Sequence, residues 1–193
     1  MKKILKIIII LMIIIFVVLL IYKGKNIIYK IIYPRKYSEI VQKYSSQYDV
    51  DENLIFAIIK AESNFNENSI SSKGAKGLMQ LMDSTAEEVA QSIGMSIEEE
   101  DILKPEININ LGTKYISNLI KYYKCVELAL AAYNAGSGNV DNWIKNGTLS
   151  EDGSDIQNIP FKETKNYVRK ILRDYEIYNS LVPVPDEKVA VPN

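Results

Sequence analysis

Apolar residues fill positions 7–22 without interruption, whereas the rest of the chain repeats them on a helical period. Lys2, Lys3 and Lys6 precede the run, and Lys23, Lys25 and Lys30 follow it. Extended by Ile4 and Leu5, it is just long enough to cross a hydrocarbon core of ~30 Å at a rise of ~1.5 Å per residue. Residues 1–30 are therefore predicted to form one N-terminal transmembrane helix, an uncleaved signal anchor. The short basic N-terminus favours a cytoplasmic start and an exported remainder. A cleaved signal peptide would end in a small-residue site, but here the chain continues Tyr22-Lys23-Gly24-Lys25.

Residues 31–36 read as a connector containing Pro34. From Tyr37 the spacing changes to three and four, with Ile40, Val41, Tyr44 and Tyr48 on one face. Asp51 is a candidate N-cap for a second helix whose stripe runs Leu54, Ile55, Ile58, Ile59 and then Glu62. Residues 63–82 are rich in Asn, Ser and Gly and predict loop and turn with a small hairpin. Gly74 and Gly77 are its turn residues, and Leu78 and Leu81 belong to the core. Ser84-Thr85-Ala86-Glu87 reads as a capping box opening a helix to about Ile93. Pro105 suits a first helical position, ahead of Ile109, Leu111, Tyr115, Ile116, Leu119 and Ile120. Further helices are expected over 127–133, over 140–145, and from Phe161 through Tyr167, Val168, Ile171, Leu172 and Tyr175. The expected fold is mostly α, one domain over 37–182, with an extended or disordered tail at 183–193.

Composition narrows the chemistry. The chain has no histidine, which removes Ser-His and Cys-His nucleophiles and histidine-ligated zinc. Cys125 is the one cysteine, so no internal disulfide forms; its apolar context predicts a core residue. Six lysines and no acid lie in residues 1–30, leaving 17 basic against 24 acidic residues beyond them. That acidic balance argues against a nucleic-acid partner.

Glu62 stands out because a carboxylate on an apolar stripe is costly to bury ionised, and desolvation raises its pKa. The negative end of its helix would push the same way. A neutral carboxylic acid beside a polar, glycine-rich loop suits acid-catalysed glycoside cleavage. On pattern alone, a helix-terminal Glu turned to solvent is the other reading.

The surrounding text adds a resemblance. Four blocks occur in order: Glu62-Ser63-Asn64-Phe65-Asn66 with Ser71; Gly74-Ala75-Lys76-Gly77-Leu78-Met79-Gln80-Leu81-Met82; Ala132-Tyr133-Asn134-Ala135-Gly136; and Glu163-Thr164 followed by Tyr167-Val168. They resemble the transglycosylase domain of the soluble lytic transglycosylase family, which shares a lysozyme-like fold with goose-type lysozyme. The resemblance covers roughly residues 37–180. It implies cleavage of the β-1,4 bond between N-acetylmuramic acid and N-acetylglucosamine in peptidoglycan, leaving 1,6-anhydromuramic acid ends. It implies Glu62 as the one catalytic acid/base and no cofactor or metal. Ser71, Gln80, Met82, Tyr133 and Asn134 would line the glycan groove, with Ser71 near the acetamido group of the reacting sugar. Tyr133 and Tyr167 would approach that sugar or position Glu62. Glu163 would help at the site or cap the last helix. Met82 would pack or form the groove floor, and Asn134 could instead end its helix. Asp83 stands where the family commonly has proline, which should move the start of the following helix. A hydrolytic muramidase would need a second acid, such as Asp141, Asp152 or Asp155. A wall-binding module without turnover is the remaining alternative.

Overall fold

The segment Glu-Asn-Leu-Ile-Phe-Ala-Ile-Ile is apolar on nearly every face, and a helix of that kind is stable only when surrounded. The computed structural model, which describes Met12, Phe16, Ile28, Tyr29 and residues 31–181, buries it in the core of the helical domain. The chain forms two compact units, one ending at Arg35 and one beginning at Lys36. Among the described residues no helix is long and apolar enough to cross a membrane. The anchor expected over residues 1–30 lies almost entirely outside them, as does the tail at 183–193.

The second unit is built from helices α1 (Ser38–Tyr48), α2 (Glu52–Ser63), α3 (Asp83–Ser92), α4 (Pro105–Tyr123), α5 (Val126–Ala135), α6 (Ser137–Lys145) and α7 (Lys162–Ser180), with short 3₁₀ turns at Glu99–Leu103 and Ile156–Asn158. Asp51 caps α2 as expected, its Oδ1 accepting the Asn53 N–H at 2.7 Å. Residues Asn53 to Ile59 of α2 are all buried. This helix packs mainly on α7, where Phe56 stacks on Tyr178 with centroids 5.6 Å apart. Helix α4 lies against α1 and α5, and α5 bridges to α6 and α7. Pro105 opens α4, and Gly136, at φ 85°, ends α5. Trp143 of α6 meets Phe161, the residue before α7, edge-on at 5.0 Å.

The hairpin expected in residues 63–82 is reduced to isolated antiparallel bridges, Ile70 to Lys76 and Lys76 to Leu81. Two further expectations are corrected. Helix α3 begins at Asp83, two residues early, with Met82 rather than Ser84 as N-cap, so the capping box at Ser84 and Glu87 does not form. Asp83 instead takes an ion pair from Lys76 at 2.9 Å, which anchors the loop to the new first turn. Cys125 is half-buried rather than core; it precedes α5 in extended conformation, its thiol beside Glu127 at 3.1 Å. The Leu78-Met79 pair and Leu81 are fully buried, as their apolar character required.

Candidate active site around Glu62

Glu62 lies in the last turn of α2, where the buried helix reaches the surface, and it remains partly exposed. The chain reverses immediately afterwards: Asn64 and Phe65 both adopt left-handed backbone, at φ 50° and 65°. For a bulky residue such as Phe65 that conformation is unusual and needs support from packing. Phe65 has it, being buried against Phe56 with centroids 6.4 Å apart.

Burial pushes the Glu62 carboxyl up from 4.5 to about 7, against the opposing pull of a hydrogen bond from Tyr167 and of the Lys170 ammonium. The Tyr167 hydroxyl donates to Oε1 at 2.6 Å. Lys170, one turn further along α7, donates to the Ala61 carbonyl at 3.2 Å and so ties α7 to the end of α2. Tyr133 approaches from α5; its hydroxyl donates to the Met79 carbonyl at 2.8 Å, and its ring lies 5.1 Å from that of Tyr115. Burial first, and the Glu62 carboxylate second, push the Tyr133 and Tyr167 phenols well above their ordinary range, so both stay protonated donors.

The loop beside Glu62 is fixed from below. Ser63 Oγ donates to the Leu78 carbonyl at 2.8 Å, joining the end of α2 to the glycine-rich block. Asn108, fully buried in α4, accepts the Met79 N–H at 2.7 Å and donates to the carbonyls of Lys76 at 3.0 Å and Ile102 at 2.8 Å. A Cβ at Gly77 would overlap the Asn108 side chain, and Gly77 sits at φ 78°; both facts require glycine there. Ser63, Lys170 and Asn108 are the positioning residues that sequence reasoning left without a role. For Asn108 the available signal was an amide in the otherwise apolar register of α4.

The residues named from sequence fall into distinct settings. Gln80, at φ 49°, spends its Nε2 on the carbonyls of Ser69 at 3.0 Å and Gly77 at 2.9 Å, which leaves Oε1 for a ligand. Ser71 Oγ accepts the N–H groups of Ala75 at 3.0 Å and Lys73 at 3.3 Å, bracing the turn, and keeps its own proton to donate. Met82 is 42% exposed at the loop's end, so it is a surface group rather than packing. Asn134 stays helical and accepts the Thr164 hydroxyl at 2.8 Å, linking α5 to α7. Glu163 is exposed in the first turn of α7, where it suits the positive helix end, and makes no hydrogen bond to Glu62. The candidate second acids are engaged elsewhere. Asp141 accepts the Tyr123 hydroxyl at 2.7 Å, Asp152 the Ser154 N–H at 3.0 Å, and Asp155 the Ser150 N–H at 3.0 Å. Among the described residues no other carboxylate contributes to the shift at Glu62.

Comparison with known proteins bears on this arrangement. Residues 39–155 match the family model described as Transglycosylase SLT domain. The soluble lytic murein transglycosylase of Escherichia coli (strain K12) is 34% identical over 150 residues, which is 76% of this chain and 23% of that protein. The membrane-bound lytic murein transglycosylase C of Edwardsiella ictaluri is 37% identical over 54% of this chain and 32% of its own length. Among solved structures, an inactive mutant of the lytic transglycosylase Slt from Pseudomonas aeruginosa superposes with a TM-score of 0.72 and 33% identity, covering 79% of this chain and 25% of that one. The chain thus spans about a quarter to a third of the length of these relatives. The mostly helical, lysozyme-like frame, the ordered blocks and the matched segment lead to one conclusion: this chain belongs to the Transglycosylase SLT domain family.

Proposed function

We propose that this protein is a peptidoglycan lytic transglycosylase that cleaves the glycan strand between N-acetylmuramic acid and N-acetylglucosamine. The observation that carries the reading is Glu62: a carboxyl raised to about 7, held by one tyrosine, with no second carboxylate acting on it among the described residues. Two-carboxylate glycosidases place their acids on either side of the scissile bond. Among the described residues no carboxylate hydrogen-bonds Glu62, and in this reading the one group serves as acid and then as base.

Protonated Glu62 gives its proton to the bridging oxygen as the bond from muramic C1 to that oxygen breaks, and N-acetylglucosamine leaves with a free hydroxyl. The muramic acetamido oxygen supports the positive charge at C1. Glu62, now a carboxylate steadied by the Tyr167 hydroxyl, removes the proton from the C6 hydroxyl of the same sugar. O6 closes on C1, the 1,6-anhydro ring forms, and Glu62 is protonated again. No water is consumed, and the nucleophile is already tethered to its target. With a pKa near neutrality, the acid and base forms of Glu62 lie close in free energy, as the paired steps require.

In this reading Ser71 faces the acetamido group, Gln80 offers Oε1 to a sugar hydroxyl, and Met82 lies along the groove. Tyr133 and Asn134 hold the opposite wall, and Glu163 serves the start of α7. Residues 1–30 tether the domain (37–182) to the outer face of the cell membrane as a single-pass anchor. Supporting this is the apolar run with its flanking lysines.

The test is product chemistry. Digests of peptidoglycan by wild-type protein should contain 1,6-anhydromuramic ends by mass spectrometry, and Glu62→Gln should abolish them. Reducing ends instead of anhydro ends would make the enzyme a hydrolase and end this proposal.

A further inference from the structure

A cavity of about 470 Å³ opens between α3, α4 and the start of α6, lined by Glu88, Ser92, Tyr115, Asn118, Tyr122 and Asp141 among others. That volume is within the range of small-ligand clefts, roughly 300–1,000 Å³. Its inner wall is Tyr115, whose ring contacts Tyr133, the tyrosine whose phenol feels the Glu62 carboxylate. Its outer wall is Tyr122, which is 66% exposed. Tyr122 is not loose: it meets Tyr123 edge-on at 4.8 Å. Tyr123 is tied in turn to Asp141 at 2.7 Å and to the Ser137 carbonyl at 3.2 Å. A braced aromatic ring therefore stands in water at the cavity's edge. The polar lining is available as well, since neither the Asn118 amide nor the Glu88 carboxylate hydrogen-bonds to another side chain or loop among the described residues. No lysine or arginine lines the cavity, and its titratable groups are all acids or phenols. The wall disfavours anions and suits a neutral ligand. Aromatic faces with an amide and a carboxylate between them fit a pyranose, whose C–H face packs on a ring while its hydroxyls bond at the edge.

We infer that this cavity is a distal saccharide subsite, taking a neutral N-acetylhexosamine unit of the strand whose scissile bond lies at Glu62. The inference rests on the glycan-cleaving reading for its substrate class. A shared wall joins it to a second cavity of about 770 Å³, through Tyr122 and Asp141, so the strand has a path onward along the end of α4.

The test uses full-length Glu62→Gln protein in detergent, titrated calorimetrically with chitohexaose and with chitobiose. The hexamer should bind more tightly than the dimer. Tyr122→Ala should weaken the hexamer roughly fivefold to tenfold more than the dimer. Tyr122→Phe, which keeps the ring, should restore most of the difference, and Asn118→Ala should act in the same direction as Tyr122→Ala. Equal losses for both probes, no loss, or no hexamer binding would overturn the subsite. Failure of the catalytic reading looks different. If wild type yields no anhydro ends while the Tyr122-dependent length preference persists, the subsite stands and the activity does not; the reverse pattern leaves the activity and removes the subsite.

Discussion

At the residue scale the decisive quantity is the free energy of ionising Glu62. A carboxyl that titrates at about 7 when folded and at 4.5 when exposed binds its proton more tightly in the folded state. Stability is therefore undiminished below about pH 4.5, falls as pH rises toward 7, and carries the full penalty above it. A shift of that size corresponds to about 3 kcal/mol. Glu62→Gln should thus raise stability in urea at pH 8 by roughly 2–3 kcal/mol and change it little at pH 4. An equal effect at both pH values would mean that Glu62 is solvated like any surface acid. Tyr167→Phe removes the donor that favours the carboxylate. The pKa of Glu62 should rise, the pH profile of kcat should move to higher pH, and kcat should fall roughly tenfold. An unmoved profile would show that Tyr167 only packs there. Lys170→Met should displace the profile the same way, since its ammonium also favours the ionised form.

At the scale of elements, α2 was the most legible part of the chain. Its stripe is dense and Asp51 marks its start, so the helix emerges from spacing alone; Glu62 follows in register, but spacing also allowed a helix-terminal acid turned to solvent, and only the resemblance gave it a role. The start of α3 misled because Ser84-Thr85-Ala86-Glu87 satisfies a local capping rule, whereas Asp83 gains a tertiary partner in Lys76. Asn108 showed only as an amide in an apolar register, and its role was hidden for a related reason: what it bonds are backbone groups of residues distant in sequence, and backbone partners leave no trace in side-chain pattern. It nonetheless holds the loop that carries Gln80. Asn108→Ala strands two buried carbonyls and one N–H, which should destabilise the domain by about 2–4 kcal/mol in chemical denaturation. Activity per folded molecule should fall as well. A stable variant with full turnover would show that the loop holds its shape without this residue.

For the whole molecule, the missing histidines sharpen the pH argument. Between about pH 5.5 and 8 no other side chain of ordinary pKa titrates, so a transition there in activity or stability belongs to Glu62. With Cys125 alone, reducing agent should leave the melting temperature unchanged, even though the domain is read as exported. The tether makes a separate claim. Fractionation of cells should find the intact chain, N-terminal segment included, in the membrane pellet; a released, shortened form would replace the anchor with a cleaved leader.

The edge-on contact between Trp143 and Phe161 gives the molecule a built-in optical reporter. Trp143 is the sole tryptophan, nearly buried, and its neighbour is the residue from which α7 starts. Any loosening of the start of α7 wets the indole and shifts its emission to longer wavelength, and the same helix carries the hydroxyl that grips Glu62. Fluorescence recorded during gentle heating therefore follows the clamp on the Glu62 carboxyl in real time, without a label, and can be overlaid directly on loss of turnover.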